Sequence, residues 1–156
     1  MFVDRARIYV YAGGGGDGCA SFRREKHVPR GGPDGGDGGD GGSVVFRAVT
    51  GEQSLVNLHF RQHWKAQRGI HGMGKKRHGH RGADCIVEVP LGTLVWDDET
   101  DEFLADLIEA GQEFVVAKGG QGGRGNCRFV SSTNRAPTTA TEGRPGEERR
   151  LRVVMK

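Results

Sequence analysis

Residues 31–42 read Gly31-Gly32-Pro33-Asp34-Gly35-Gly36-Asp37-Gly38-Gly39-Asp40-Gly41-Gly42, and the fold turns on how this stretch is read. Gly32, Gly35, Gly38 and Gly41 recur every third residue, and so do Gly36, Gly39 and Gly42. Gly119, Gly122 and Gly125 repeat the spacing, with Gly120 and Gly123 beside them. Three is the period of the polyproline II helix, a left-handed helix without internal hydrogen bonds. Glycine along one edge of such a helix lets a second backbone approach closely enough to exchange hydrogen bonds, as in collagen. Collagen itself is excluded, because the runs are short and the chain has only 5 prolines. A flexible linker is the usual alternative for glycine-rich sequence. Linkers, however, have no reason to keep Asp34, Asp37 and Asp40 in phase with the glycines, and several such runs can satisfy one another's backbone groups. The expectation is an ordered bundle of glycine-rich left-handed helices. Its structural glycines are Gly32, Gly35, Gly38, Gly41, Gly119, Gly122 and Gly125.

Around these runs lie short segments rich in β-branched and aromatic residues: Phe2 to Tyr11, Val44 to Val49, Cys85 to Val89, Thr93 to Trp96, Phe103 to Leu107, Glu113 to Ala117 and Leu151 to Met155. Several alternate, as in Ile8-Tyr9-Val10-Tyr11, which predicts strands. Pro90-Leu91-Gly92 and the polar tip Asp97 to Asp101 read as turns, the second as a hairpin loop. The predicted fold class is all-β, a barrel or sandwich base carrying a protruding bundle of glycine-rich polyproline-II-type helices. The 156 residues suit one domain. Its base is assigned to segments 1–12, 43–58, 84–118 and 147–156, and its glycine-rich, basic protrusion to 13–42, 59–83 and 119–146.

Several chemistries find no support. Gly69 to Lys76 has the spacing of a phosphate-binding loop, but Lys76 stands where a magnesium-binding Ser or Thr is needed, and no apolar strand precedes it. Gly35 to Asp40 opens like a calcium-binding nonapeptide, yet the apolar position that should follow is missing. His78-Gly79-His80 has some metal-binding look, but Lys75, Lys76, Arg77 and Arg81 surround it and would repel a cation. No nucleophile stands beside a base in a catalytic motif, so neither catalytic nor metal-ligating residues are assigned and no cofactor is expected for this chain. Cys19, Cys85 and Cys127 form no disulfide framework or CxxC pair, which fits a reduced, cytoplasmic setting. The longest apolar run is about four residues, Phe114 to Ala117, so no membrane segment is expected.

Charge is segregated behind a net charge of only +3. From Gln53 to Ala83 there is no acid, while Arg61, Lys65, Arg68, Lys75, Lys76, Arg77 and Arg81 are basic. From Phe114 to Thr141 there is again none, with Lys118, Arg124, Arg128 and Arg135 basic. The first long loop adds Arg23, Arg24, Lys26 and Arg30 against Glu25 alone. Conversely, positions 97, 98, 99, 101, 102, 106, 109 and 113 are all carboxylates within one Lys- and Arg-free stretch. One charged run is usually a solvated face. Three basic loops on one fold point instead to a polyanion, and the 17 arginines against 6 lysines suit phosphate recognition and base stacking. RNA is favoured over DNA because no helix is read that could enter a major groove. Trp64 and His63 in the second loop are either stacking residues or, for Trp64, a core anchor.

Phe22-Arg23-Arg24-Glu25-Lys26 followed by Pro29 to Gly39, then Val89-Pro90-Leu91-Gly92-Thr93, Ala117-Lys118-Gly119-Gly120 and Gly123-Arg124-Gly125-Asn126, together resemble the N-terminal domain of the Obg GTPases. The resemblance runs in order through essentially all 156 residues. It implies a β-barrel base with six glycine-rich left-handed helices, in agreement with the period-three reading. It further implies a cytoplasmic protein that binds GTP and magnesium through a following G domain, acts in large ribosomal subunit maturation, and inserts its loop tips near the peptidyl-transferase region, partly mimicking a tRNA acceptor arm. The family continues beyond the position of Lys156 into its nucleotide-binding domain, so no GTPase residue is carried over. The expected partners are the large ribosomal subunit with its RNA and the protein's own G domain. The expected RNA contacts are Arg23, Arg24, Lys26 and Arg30 on the first tip, Lys75, Lys76, Arg77 and Arg81 on the second, and Arg124, Arg128 and Arg135 on the third. The competing expectation is a protein-interaction module whose acidic hairpin, 97–113, docks the G domain or a stress-signalling partner.

Overall fold

Alternating β-branched residues set the base. The computed structural model describes residues 2–24 and 31–156; Glu25, Lys26 and Arg30 therefore lie outside the described residues. In chain order the elements are β1 (Arg5–Tyr11), β2 (Val44–Val49), a one-turn helix α1 (Val56–Phe60), β3 (His63–Lys65), β4 (Cys85–Pro90), β5 (Thr93–Asp97), β6 (Phe103–Leu107), β7 (Glu113–Ala117) and β8 (Glu148–Met155). They form a five-stranded sheet in the order β3-β1-β8-β5-β6 and a three-stranded sheet in the order β4-β2-β7. The β1–β3 and β2–β4 pairs are parallel, and the other pairs are antiparallel. The fold is all-β.

Inward positions carry the apolar residues. Ile8 and Val10 of β1, Phe46 of β2, Val87 and Val89 of β4, Val95 of β5 and Leu151 and Val153 of β8 are fully buried in one cluster. Each such side chain contributes roughly 1.5–3 kcal/mol relative to exposure. Leu55, Leu58 and Trp64 join the same cluster, which makes Trp64 a core residue; its Nε1–H donates to the Arg61 carbonyl at 3.0 Å and the Arg61 guanidinium lies 3.8 Å from the ring centroid. The sequence reading starts the second loop at residue 59, whereas β3 pairs with β1 and keeps the chain in the base through Lys65. A three-residue strand with one apolar position offers no alternation to read.

The glycine segments connect these strands. Segments 12–21, 66–73 and 118–125 leave β1, β3 and β7, and segments 33–43, 77–84 and 137–147 return into β2, β4 and β8. Their backbones are tied at a period of three. The N–H groups of Gly13, Gly16 and Cys19 donate to the carbonyls of Gly42, Gly39 and Gly36 at 2.8–2.9 Å. Gly36, Gly39 and Gly42 in turn donate to Met73, Ile70 and Gln67, and Gly38 and Gly41 to Gly123 and Gly120. Gly125, with φ −72° and ψ 161°, sits in the polyproline II region. Each rod thus finds in its neighbours the hydrogen bonds it cannot make internally.

Close approach, not unusual φ, demands glycine here. A Cβ at Gly38 would overlap the Gly16 carbonyl, and one at Gly122 the Gly38 carbonyl. The glycines with positive φ are Gly51, Gly92 and Gly111, all in base turns. Gly32 differs from the other phased glycines: a Cβ there meets nothing within 4 Å. It belongs to a two-stranded ladder, accepting the Arg23 N–H and flanked by the Phe22–Pro33 bridge, with no third rod against it among the described residues.

Candidate nucleic-acid interface

The three loops at the far end of the rods are locked to one another by polar side chains that occupy the phase between the glycines. Asp40 Oδ1 accepts the Gly122 N–H at 2.8 Å and Asp37 Oδ1 the Gly125 N–H at 2.9 Å. Asp34 Oδ2 accepts the Lys75 N–H at 3.1 Å. Asp40 and Asp37 therefore complete backbone bonds at successive steps of the third loop's rod, and Asp34 does the same for the turn of the second loop. Asp37 also takes the Arg128 guanidinium at 2.6 Å. Burial pushes the Asp37 carboxyl up, but the Arg128 hydrogen bond and charge, the Gly125 N–H and the nearby His78 outweigh it and hold the group below its usual value.

Asn126 joins the first loop to the third. It is fully buried; its Oδ1 accepts the Gly35 N–H at 2.9 Å, and its Nδ2 donates to the carbonyls of Ser21 at 2.9 Å and Pro137 at 3.1 Å. Cys127 Sγ–H donates to the Gly35 carbonyl beside it. His71 and His78 serve as backbone acceptors, their Nδ1 atoms receiving the N–H groups of Asp17 at 2.8 Å and Asp37 at 2.9 Å. Each neutral ring therefore carries its proton on Nε2. His78 is thus spent on the scaffold, not aimed at a metal with His80.

The basic residues divide by position. Arg23 and Arg24 are exposed on the first loop, and Lys26 and Arg30 of the same tip lie outside the described residues. Lys75 and Lys76 are exposed at the turn of the second loop, and both hold positive φ, 60° and 55°. Arg77 is exposed and folds its Nε–H onto the Gly74 carbonyl at 3.1 Å. Arg124 and Arg135 are exposed without an ion pair among the described residues. Lys76, His78, Arg124, Cys127 and Arg128 line one open recess of about 460 Å³. Arg81 is set apart: it pairs with Asp84 at 3.0 Å and lines a second recess, of about 330 Å³, with Asp40, Lys118 and Gln121.

Sequence reasoning left out Lys118, Arg68 and Arg144 as contacts. Arg144 lines a recess with Arg124, and another with Arg68. The signal was present in the phase: Lys75, His78 and Arg81, like Lys118, Gln121 and Arg124, recur at the glycine period. A period-three rod with glycine inside presents a period-three row outside.

The acidic hairpin is largely neutralised within the base. Asp98, with a side chain only 7% exposed, lies among Arg7 at 3.7 Å, Arg150 at 3.1 Å and Arg152 at 3.3 Å. Asp97 caps the N–H groups of Glu99 and Thr100 and pairs with Arg149 at 3.1 Å. The Thr100 N–H, opposed by burial and helped by the Glu99 N–H and Arg149, draws the Asp97 carboxyl below its usual value. Asp101 meets Arg152, Asp106 meets Lys156 and Glu113 meets Arg47. Glu99, Glu102 and Glu109 are left without an ion pair among the described residues, a weaker patch than eight carboxylates suggest.

A profile of the GTP1/OBG family matches residues 3–156. The chain is 58% identical over 156 residues to a protein named GTPase Obg from Desulfitobacterium hafniense (strain DSM 10664 / DCB-2), covering 100% of this chain and 37% of that protein. It is 58% identical over 155 residues to GTPase Obg of Syntrophotalea carbinolica, covering 99% and 44%. The corresponding figures for GTPase Obg of Moorella thermoacetica are 56% over 156 residues, covering 100% and 37%. The chain spans about two-fifths of the length of the curated relatives it matches.

Proposed function

The chain belongs to the GTP1/OBG family, and from that membership we propose that it is the RNA-contacting N-terminal domain of an Obg-type GTPase acting in large ribosomal subunit assembly. Its partner in this reading is the large ribosomal subunit, with the loop tips near the peptidyl-transferase region. GTP hydrolysis with magnesium belongs to a G domain outside these residues, in a cytoplasmic protein.

The observation that carries the reading is the distal end itself. Asn126, Asp34 and Asp37 fasten three loops together while spending their own polarity on backbone groups and Arg128. Around them Lys75, Lys76, Arg77, Arg124 and Arg135 stay exposed. A surface whose loop aspartates are used up underneath and whose bases face water, with Glu142 the exposed acid beside Arg124 and Arg144, attracts a polyanion and releases counterions on binding. Among the described residues the α-helix, α1, has five residues and lies against the base, and a 3₁₀ turn, Asn126–Phe129, has four, so neither suits a DNA major groove, whereas exposed arginines suit the phosphates and unstacked bases of folded RNA. The rods act as stiff spacers between that end and the base. No helix among the described residues is long and apolar enough to cross a membrane.

Binding of this chain to purified large ribosomal subunits at about 50 and 200 mM salt tests the reading. Affinity is expected to fall by orders of magnitude between the two, and Lys75→Ala/Lys76→Ala/Arg77→Ala to weaken it further and flatten the salt dependence. No binding, or binding indifferent to both salt and the triple substitution, sinks the idea.

A further inference from the structure

The second loop turns through Gly74-Lys75-Lys76-Arg77, closed by the Arg77 N–H to the Gly74 carbonyl and the Met73 N–H to the Arg77 carbonyl. Its two central residues have φ of 60° and 55°. A turn that needs two positive φ values in succession normally takes Asn-Gly, because a side chain in the left-handed region crowds its own carbonyl. Among the described residues, Asp101 is the other non-glycine with positive φ, and aspartate tolerates that region far better than lysine. Two adjacent lysines are therefore held against their local preference at the turn of the second basic loop.

The holder is Asp34. Its Oδ2 accepts the Lys75 N–H at 3.1 Å, its backbone carbonyl accepts the Lys76 N–H at 2.6 Å, and its own N–H is fixed to the Ser21 carbonyl at 2.9 Å. Gly74 lies beside it, where a Cβ would stand 2.9 Å from Ser21 Oγ and 3.9 Å from Asp34 Oδ1. Asp34 is 8% exposed, and its Oδ1 is buried without a hydrogen-bond partner among the described residues. A buried carboxylate with one oxygen unsatisfied is costly to keep. What it secures is local: both lysine N–H groups are drawn inward, while both lysines are exposed and unpaired among the described residues.

We propose that Asp34 is a positioning residue for RNA binding: it locks Lys75 and Lys76 into the left-handed turn so that the two ammonium groups meet phosphates in a preset geometry. The inference rests on the RNA-contacting reading above. Two lysines on a fixed backbone turn lose less conformational freedom on binding than two on a flexible one. Asp34 is itself an anion at a polyanion-binding end, so simple charge counting predicts the opposite role, and the two accounts separate cleanly.

The deciding variant is Asp34→Ala in this chain, with binding to large ribosomal subunits measured across a salt series. Charge counting makes it bind more tightly. Positioning makes it bind on the order of tenfold more weakly at about 0.1 M salt, with the slope of log K against log salt reduced by about one to two, as in Lys75→Ala/Lys76→Ala. Adding Asp34→Ala to those two substitutions then changes little, because the same contacts are already lost. Asp34→Asn, which can still accept the Lys75 N–H, restores most of the affinity. Equal or tighter binding by Asp34→Ala overturns the proposal while leaving the RNA reading intact; absence of binding by the unmodified chain overturns that reading and this one with it. Should Asp34→Ala not fold, Lys75→Asn/Lys76→Gly decides the strain directly. Its midpoint of thermal unfolding is expected to rise by roughly 2–6 °C, and an unchanged or lower midpoint refutes a turn held under strain.

Discussion

Asp37 holds three partners with one side chain. Oδ1 takes a rod N–H, Oδ2 takes Arg128, and the ring of His78 stands 3.7 Å from Oδ2 while accepting the Asp37 N–H. Because its carboxyl is held below the ordinary 3.8, its contribution is present at pH above that value and is lost as pH falls through the lowered native value. Asp37→Asn is expected to cost roughly 1 kcal/mol or more at pH 7, by weakening the Arg128 bond. Once the pH is well below that lowered value, and Asp37 is protonated in both states, the two proteins should converge. Thermal unfolding at pH 7 and in acid checks this, and a gap that stays constant rejects it. This role was legible in the sequence, since aspartates in phase with glycines must face backbone or arginine. The cost carried at Lys75 and Lys76, roughly 1–2 kcal/mol each, was not legible, because nothing in Gly-Lys-Lys-Arg announces positive φ.

At the scale of the element, a glycine rod is a backbone with its neighbours' carbonyls where side chains would be. Gly38→Ala and Gly122→Ala should each destabilise the chain by roughly 3 kcal/mol or more, since the intruding methyl both crowds a carbonyl and breaks the inter-rod bond beside it. Gly32→Ala is the internal control: its position is open, and the change is expected to fall within about 0.5 kcal/mol or to stabilise slightly. Equal unfolding midpoints for Gly38→Ala and Gly32→Ala would contradict the close-packed rods. The rods were readable because glycine marks their period so plainly. β3 and α1 were not, being too short to show one. The neutralised hairpin was hidden for a different reason: Arg149, Arg150 and Arg152 lie some fifty residues from the carboxylates they meet, and only the β5–β8 pairing brings them together.

For the whole molecule, apolar burial and backbone burial occupy separate regions. The buried apolar cluster draws on the strands, α1 and the residues next to them, whereas the rods meet through N–H and carbonyl groups. Exposing apolar surface raises the heat capacity and exposing polar surface lowers it. A chain of 156 residues ordinarily unfolds with a heat-capacity increase of about 1.9–2.3 kcal/mol/K; here calorimetry should find clearly less, and an ordinary value would mean that the rods bury apolar surface after all. Base and bundle were both foreseeable as kinds of structure. Their junction was not, because it depends on where strand pairing stops and rod pairing begins, at Tyr11 and Ala66, and at Ser43 and Cys85.

The ladder of rods has one consequence that reaches beyond stability. Close-packed inner positions such as Gly38 and Gly122 admit glycine alone, and outer positions carry none of the lattice's close packing apart from the few side chains that complete its bonds. Residues such as Arg68, Gln121 or Arg144 can be exchanged for others without consulting any neighbour inside. The rods therefore behave as a pegboard, a rigid grid with about 9 Å between successive pegs on a row (three residues at about 3.1 Å each). On such a grid, new recognition chemistry can be tried by single substitutions while the frame beneath stays the same.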